Sequence, residues 1–463
     1  MDTPRRRNVV SQIVSHQMCI GCGLCAGICP AECLEMKFNE FGEYNPYFVD
    51  SCIECNRCLK VCPFYDSDWN EDTLAQKRFG HVSDIHHTVE TGFYSQCYVG
   101  RVTSDKLLQT RSSGGLASWF LAQLLNKGIV DRIACVVPNP QQHRLFNFCW
   151  LDSPKDVYHS STSCYYPVEL SKIIREISNN TFSCAIIGLP CFLKGLSKAM
   201  EQDRSLSDRI KVLVGLVCSH GKSQFYSEYL IRLAGGDPEF SKRVDFRRKK
   251  PDQHLHHYEF VCHSMVNSQL REFTISSGAF DWELEYFKIN ACNYCDDIFA
   301  EVADIAFMDA WLPEYMCRPG GMSLSLVRSR VAGELLEQGR SSGELFLEPV
   351  KADKVIQSQR NKLRTKRKLV PIRLAFAQRQ NRWVPRKRVQ PRLGCRPDLW
   401  LDVFFTLRRI AASRISMVRQ KQKGIGLNAF HQYMTRRLWL DRLIWSGLIQ
   451  AKKKMKWLFN KVR

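Results

Sequence analysis

Three observations predict a small α+β domain, then a larger α/β domain with a mixed sheet, then a basic, partly helical tail. Two copies of one cysteine run lie within the first 70 residues, "CIGCGLCAGICP" (Cys19 to Pro30) and "CIECNRCLKVCP" (Cys52 to Pro63). From about Ser95 to Val350, short β-rich runs alternate with helical periods, the pattern of a sheet covered by helices. From Lys351 onward 31 Lys and Arg stand against four Asp and no Glu, whereas the first 350 residues sum to −6 of the total +21. That split marks a domain boundary. The 463 residues divide into 1–70, a linker at 71–94, a body at 95–350 and a tail at 351–463.

Each cysteine run reads C-x2-C-x2-C-x3-C-P, the spacing with which bacterial ferredoxins hold two [4Fe–4S] clusters, so the first domain is expected to be ferredoxin-like. Three close cysteines wrap one cluster, and the fourth turns away to ligate the other. The expected ligand sets are therefore Cys19, Cys22, Cys25 and Cys62, and Cys52, Cys55, Cys58 and Cys29. Pro30 and Pro63 stop the helical turns begun by the preceding cysteines. Gly21, Gly23 and Gly27 let the backbone pass close to an inorganic core. Zinc sites more often pair two C-x2-C units, and disulfide frameworks belong to small secreted chains. Cys29 and Cys33 begin the C-x3-C of a radical S-adenosylmethionine motif, but Met36 stands where its third cysteine belongs. Cys33 is expected to be a spare core thiol.

The opening "MDTPRRRNVVSQIVSHQ" has no apolar stretch of signal-peptide length. No run of about 18 uncharged apolar residues is found either. Twenty-one cysteines without an export signal are expected as reduced, metal-binding or redox thiols in a cytosolic chain.

In the body, "SQCYVGRV", "DRIACVVP", "SCAIIGLP" and "IKVLVGLVC" read as strands. Between and after them, "GGLASWFLAQLLNKG", "PVELSKIIREISNN", "CFLKGLSKAMEQ" and "SQFYSEYLIRLAGG" read as helices. Continuous apolar strands alternating with helices imply a parallel or mixed sheet, and residues 245–280 read as an antiparallel excursion. Three loops stand out. Arg111, Ser112, Ser113, Gly114 and Gly115 open a helix, where free amides suit a phosphate; a plain capping turn is the alternative. Cys191 and Cys218 each follow an apolar strand, and Cys292 and Cys295 form a further C-x2-C pair. Four thiolates suffice for a third [4Fe–4S] cluster, with zinc or buried structural thiols as the alternatives.

The ordered set "RSSGG", "GLPC", "GLVC" and "CNYC-DD…ADIAFMDAW" over residues 15–345 resembles the coenzyme F420 hydrogenase and dehydrogenase beta subunit family. That family includes iron–sulfur flavoproteins with an N-terminal two-cluster ferredoxin, among them the 7-hydroxymethyl chlorophyll a reductases. The resemblance implies a bound FAD near Ser112 to Gly115, a further [4Fe–4S] cluster at Cys191, Cys218, Cys292 and Cys295, and hydride exchange with a substrate. Three positions depart from the family pattern: Cys164 replaces a lysine, Met308 a glycine and Phe192 a glutamine. The substrate is left open among a deazaflavin, a tetrapyrrole, a sugar-linked intermediate and a partner protein.

Independently of any family, clusters pass single electrons and a flavin converts them to hydride, so a flavin between the ferredoxin-like module and a substrate is expected. The reading is an iron–sulfur flavoprotein oxidoreductase served by a ferredoxin-like donor or acceptor. The alternative is a non-catalytic electron-transfer subunit that docks on a partner oxidoreductase. Tyr165, Tyr166, His159 and His220 are candidate proton donors, although core or surface roles suit each as well. His254, His256 and His257 read as solvated.

In the tail, Lys351 to Arg396 is interrupted by Pro371, Pro385 and Pro391 and is expected to be extended or partly ordered. Farther on, Leu440, Leu443, Ile444, Gly447 and Leu448 share a helical face, with Arg442 and Lys452 to Lys454 nearby. Such a helix suits an anionic membrane surface at the inner, cytoplasmic face. Packing on the body or a partner, and less readily nucleic acid, are the alternatives.

Overall fold

The computed structural model describes residues 7–65, 68–139, 144–160, 163–249, 257–280, 282–423, 426–441 and 443. Strands β1 (Leu34–Phe38) and β2 (Tyr44–Phe48) form an antiparallel hairpin, with Leu34 opposite Phe48 and Phe38 opposite Tyr44. Each cysteine run coils into one helical turn, Leu24–Gly27 and Arg57–Lys60, entered through a left-handed residue, Gly23 (φ 78°) and Asn56 (φ 59°). The residues read as a linker contain the helix Glu71–Phe79 and a small hairpin of β3 (His86–Thr88) and β4 (Gly92–Tyr94).

The body is an eight-stranded mixed sheet. Its strands are β5 (Gln96–Val102), β6 (Arg132–Pro138), β7 (Phe146–Leu151), β8 (Cys184–Gly188), β9 (Ile210–Leu216), β13 (Ile305–Asp309), β14 (Ser323–Val327) and β15 (Leu345–Pro349). They lie in the order β15-β5-β14-β13-β9-β8-β6-β7. Neighbours β13, β9, β8 and β6 are parallel, while β14, β15 and β7 run against their neighbours. The remaining strands, β10 (Ser241–Lys249), β11 (Tyr258–Val266) and β12 (Gln269–Ser276), form the antiparallel excursion.

Period-two alternation sends neighbouring residues to opposite faces of the sheet. Ile133, Ala185 and Val212 pack with Trp119, Phe120 and Leu336 on one face. Ala134, Ile186 and Leu213 pack on the other, in one continuous core with Leu24, Ile28 and Val61 of the cysteine module. The module is thus docked on the body. Leu170 N donates to the Cys22 carbonyl at 2.9 Å, and a Cβ on Gly195 would lie 2.3 Å from Leu24 Cδ1.

The tail corrects one expectation. Residues 382–394 hold neither helix nor strand, but helices Ala352–Ser358, Arg360–Leu363 and Val370–Arg379, with a π-helical turn Arg364–Lys368, precede them. The cause is electrostatic: the basic side chains meet buried carboxylates of the body, so the strap is not a solvated polyelectrolyte. Helix Pro397–Lys423 also packs inward, pairing Arg414 with Glu43 of the cysteine module at 2.9 Å. Among the described residues no helix is long and apolar enough to cross a membrane. Ile444, Gly447, Leu448, Arg442 and Lys452 to Lys454 of the anticipated membrane face lie outside the described residues, as do His254 and His256. Trp439, Leu440 and Leu443 are exposed.

Candidate functional site

The two cysteine runs cross over as their spacing anticipates. Cys19, Cys22 and Cys25 line one cavity together with Cys62 of the second run. Cys52, Cys55 and Cys58 line another with Cys29 of the first. Cys33 joins the second cavity, its sulfur 3.5 Å from that of Cys29. Burial pushes the Cys22 thiol up to about 12 and the Cys58 thiol up to about 11. Thiolates gathered in such surroundings need compensating cations, which is what iron supplies.

Backbone donors repeat between the two runs. Gly21 N reaches Cys19 Sγ and Glu54 N reaches Cys52 Sγ, each at 3.4 Å, and both residues have positive φ, 75° and 56°. Glycine is therefore not required for the turn itself. The first run needs it because a Cβ on Gly23 would lie 2.4 Å from Glu169 Oε2 and 2.9 Å from Leu170 N. The second run faces solvent, so Glu54 and Asn56 fit at the equivalent positions.

A third set of thiols gathers at the carboxyl edge of the sheet, where open α/β sheets place ligands. Cys191 begins the helix Pro190–Gln202 after β8, Cys218 follows β9, Cys292 lies within the 3₁₀ turn Asn290–Tyr294, and Cys295 ends it. Burial, then the charges of Cys295, Cys218 and Cys292, push the Cys191 thiol well above its ordinary value, so the four thiols lie near enough to act on one another. Gly221 N donates to Cys292 Sγ at 3.2 Å, and Lys366 Nζ donates to Cys295 Sγ at 3.2 Å. Among the described residues, no three Cys, His, Asp or Glu side chains close on a single ion.

Helix Pro190–Gln202 spans the distance between this set and the cysteine module. It carries Cys191 at its start, while Lys198 Nζ donates to the carbonyls of Cys62 (2.9 Å) and Tyr65 (2.8 Å), and Lys194 pairs with Glu71 at 3.1 Å. These buried lysines sit on a helix that reads as apolar and amphipathic in the sequence, so their role was not foreseen.

Ser112 to Gly115 lie at the same sheet edge, between β5 and the helix Leu116–Asn126. Ser163 donates to Ser112 Oγ at 2.7 Å, and Ser113 Oγ donates to the Met322 carbonyl at 2.9 Å. Gly114 has a packing reason of its own: a Cβ there would lie 2.6 Å from the Gly100 carbonyl oxygen. Gly115 has φ 80°. Arg111 donates to the Tyr158 carbonyl. Lys249 of β10 was missed. Its ammonium donates to Leu108 O (3.0 Å), Ser113 O (2.8 Å) and Gly320 O (2.5 Å) and so staples the loop. Arg247, also on β10, pairs with Asp309 at 2.9 Å and lies over the Tyr258 and Trp311 rings. Burial pushes Lys249 down to about 7 and Arg247 is already paired with Asp309, so what the loop offers a phosphate is Arg111 and the free amides at the start of helix Leu116–Asn126.

The candidate proton donors separate. His220 is buried, stacked on Trp282 at 4.8 Å between ring centres, with Nε2 unpartnered among the described residues. Tyr165 lies against Trp282 and Phe246. Tyr166 is buried against Phe38 and Phe146, His159 is exposed and bonded to the Lys155 carbonyl, and His257 is exposed. Of the departures from the family pattern, Cys164 and Phe192 pack in apolar surroundings, and Met308 is buried in β13.

A two-run cysteine module docked on a mixed α/β sheet defines an iron–sulfur protein of the oxidoreductase class. Family models agree: residues 18–67 match a 4Fe–4S dicluster domain, residues 97–175 the coenzyme F420 hydrogenase/dehydrogenase beta subunit N-terminal region, and residues 183–353 its C-terminal region. The last two together cover more than half of the chain, which belongs to the coenzyme F420 hydrogenase/dehydrogenase beta subunit family. The coenzyme F420-dependent sulfite reductase of Methanocaldococcus jannaschii is 23% identical over 348 residues, 70% of this chain and 46% of that protein. This chain thus spans about half the length of that relative. The coenzyme F420 hydrogenase subunit beta of Methanothermobacter thermautotrophicus is 21% identical over 273 residues, 56% of this chain and 86% of that one. A solved chain of the F420-reducing [NiFe] hydrogenase complex of Methanosarcina barkeri aligns with 17% identity and a TM-score of 0.47, covering 63% of this chain and 96% of that one.

Proposed function

We propose that this chain is an iron–sulfur flavoprotein oxidoreductase. Electrons would pass from a ferredoxin-like donor, through two N-terminal [4Fe–4S] clusters and a third cluster, to FAD and on to a small-molecule substrate by hydride transfer. One observation carries the reading: Cys191, Cys218, Cys292 and Cys295 gather at the same sheet edge as the Ser112 to Gly115 loop, and helix Pro190–Gln202 connects that edge to the Cys62 turn. When bound, clusters relay single electrons and a flavin exchanges them for a hydride.

The proposed ligand sets are Cys19, Cys22, Cys25 and Cys62; Cys52, Cys55, Cys58 and Cys29; and Cys191, Cys218, Cys292 and Cys295. Lys198 fixes the Cys62 turn against the body, and Lys249 and Arg111 hold the phosphate loop in shape. Electrons would enter at the second set. Cys55 is exposed there, beside Phe48 and Ile53, which are 40% and 62% exposed. A redox protein with an apolar rim around its own centre fits that surface. Peripheral contact with an anionic membrane belongs only to the segment beyond about Arg437, where Trp439, Leu440 and Leu443 are exposed.

Anaerobic reconstitution tests the proposal: about 12 iron atoms and one flavin per chain are expected. About eight iron atoms and no flavin would instead support an electron-transfer subunit working on a partner. The relative that is named as a hydrogenase subunit keeps that second reading in view.

A further inference from the structure

The family match ends at residue 353, yet the strap that follows it reaches the third set of thiols. We propose that Lys366 of this strap is a positioning residue that sets the reduction potential of the third centre, by holding one positive charge on the Cys295 sulfur. The inference rests on the third-cluster reading above.

The geometry singles out this lysine from its basic neighbours. Arg367 pairs with Glu301 at 2.7 Å, Lys387 with Asp296 at 2.9 Å, and Arg388 with Glu301 and Asp296 at 2.7 and 3.3 Å. Those cations neutralise the acidic run that follows the C-x2-C pair. Lys366 is buried, and its ammonium is held instead by Cys295 Sγ at 3.2 Å and the Asp297 carbonyl oxygen at 2.7 Å. It projects from the π-helical turn Arg364–Lys368, the kind of local irregularity that re-aims a side chain.

The physical consequence follows from charge. Accepting an electron makes a thiolate-bound cluster more negative, so a fixed cation and an N–H donor on one of its sulfurs favour the reduced state. The charge lies in a buried, weakly screened place. No carboxylate of the strap competes for it, since residues 354–397 contain no Asp or Glu. The strap therefore makes the third centre a better electron acceptor than its four thiolates alone would be, drawing electrons from the module toward the sheet edge.

The test is an anaerobic redox titration of the full chain followed by electron paramagnetic resonance. The signal of the third centre is identified by its loss in Cys191→Ala. Lys366→Met keeps the stem and removes the charge. It should shift that one midpoint negative by at least about 59 mV, a tenfold change in a one-electron equilibrium, and leave the other two midpoints in place. Lys366→Arg should restore most of the shift. Lys366→Gln is titrated as a second uncharged variant, and its midpoint should shift as in Lys366→Met; loss of the centre in both with retention in Lys366→Arg would assign the charge to assembly and overturn its role in the potential. An unshifted midpoint in Lys366→Met, or loss of the centre in all three variants alike, overturns the proposal. A wild-type chain with only two centres refutes the third-cluster reading itself, a different outcome from either.

Discussion

Replacing Arg388 with Met should loosen the strap from the body without unfolding the sheet. Arg388 lies at the meeting point of three parts of the chain. Its guanidinium contacts Asp72 (2.6 Å) and Glu71 (3.7 Å) in the helix after the cysteine module, and Glu301 (2.7 Å) and Asp296 (3.3 Å) in the body. Glu301 and Asp296 are almost wholly buried, so the substitution leaves them short of a partner. Breaking a buried ion pair in this way costs about 3–5 kcal/mol. Glu301 keeps Arg367 and Asp296 keeps Lys387, and Asp72 is mostly exposed and adds little. The expected cost is therefore at the lower end, about 3 kcal/mol, which corresponds to roughly a hundredfold faster opening. Hydrogen exchange resolved by peptide should show that acceleration in residues 382–394 and in helix Glu71–Phe79, with the central strands unchanged. Arg396→Met serves as the control: its pair with Asp398 is exposed, and about 0–1 kcal/mol is expected. Exchange in the strap within about threefold of wild type would refute the reasoning.

Acid should release the same junction. Burial alone would raise Glu71, but Lys194, together with Lys387 and Arg388, outweighs it and holds the carboxyl at about 2. A depressed carboxyl stabilises above its ordinary value of 4.5 and loses that contribution as pH falls toward about 2. Peptic cleavage within residues 380–396 should therefore rise across that window and be high throughout in Glu71→Gln; pH-independent cleavage of the wild type would contradict this. Gly195→Ala should cost about 1–3 kcal/mol by overpacking, since its Cβ would meet Leu24 Cδ1 at 2.3 Å. Gly333→Ala, whose nearest neighbour would be 3.7 Å away, should be neutral or stabilising by about 1 kcal/mol; melting curves that fail to separate the two would count against the docking described. Lys249→Met takes the lysine donor from the Ser113 and Gly320 carbonyl oxygens, while Leu108 O keeps Arg111 N; at about 1–3 kcal/mol each where they stay dry, it should reduce flavin retention on desalting with the iron content unchanged. Cys33→Ser should keep full iron whereas Cys29→Ser loses about four atoms; equal losses would assign Cys33 a ligand role.

Much of this architecture is legible in the chain. Continuous apolar runs such as "CAIIG" and "VLVGL" become central strands because burial on both faces leaves no place for polar residues. The crossing of Cys29 and Cys62 between cavities follows from spacing alone. Composition does not distinguish a solvated cation from one buried beside a carboxylate, so the basic run leaves packing on the body open without choosing it. A signal was present: Asp296, Asp297 and Glu301 follow the C-x2-C pair, and an acidic run beside buried thiols needs cations from elsewhere. Lys194 and Lys198 were invisible for a related reason, since their partners are a distant glutamate and two backbone carbonyls. Lys249 was hidden in a strand whose register only the three-dimensional pairing fixes.

The route of the electrons is tested most directly in Cys218→Ser, by following flavin and cluster absorbance separately after mixing with a reduced ferredoxin-like carrier under anaerobic conditions. Reduction of the N-terminal centres should proceed as in wild type, while flavin reduction slows sharply because one link of the relay is missing. Flavin reduction at the wild-type rate in that variant would contradict the account.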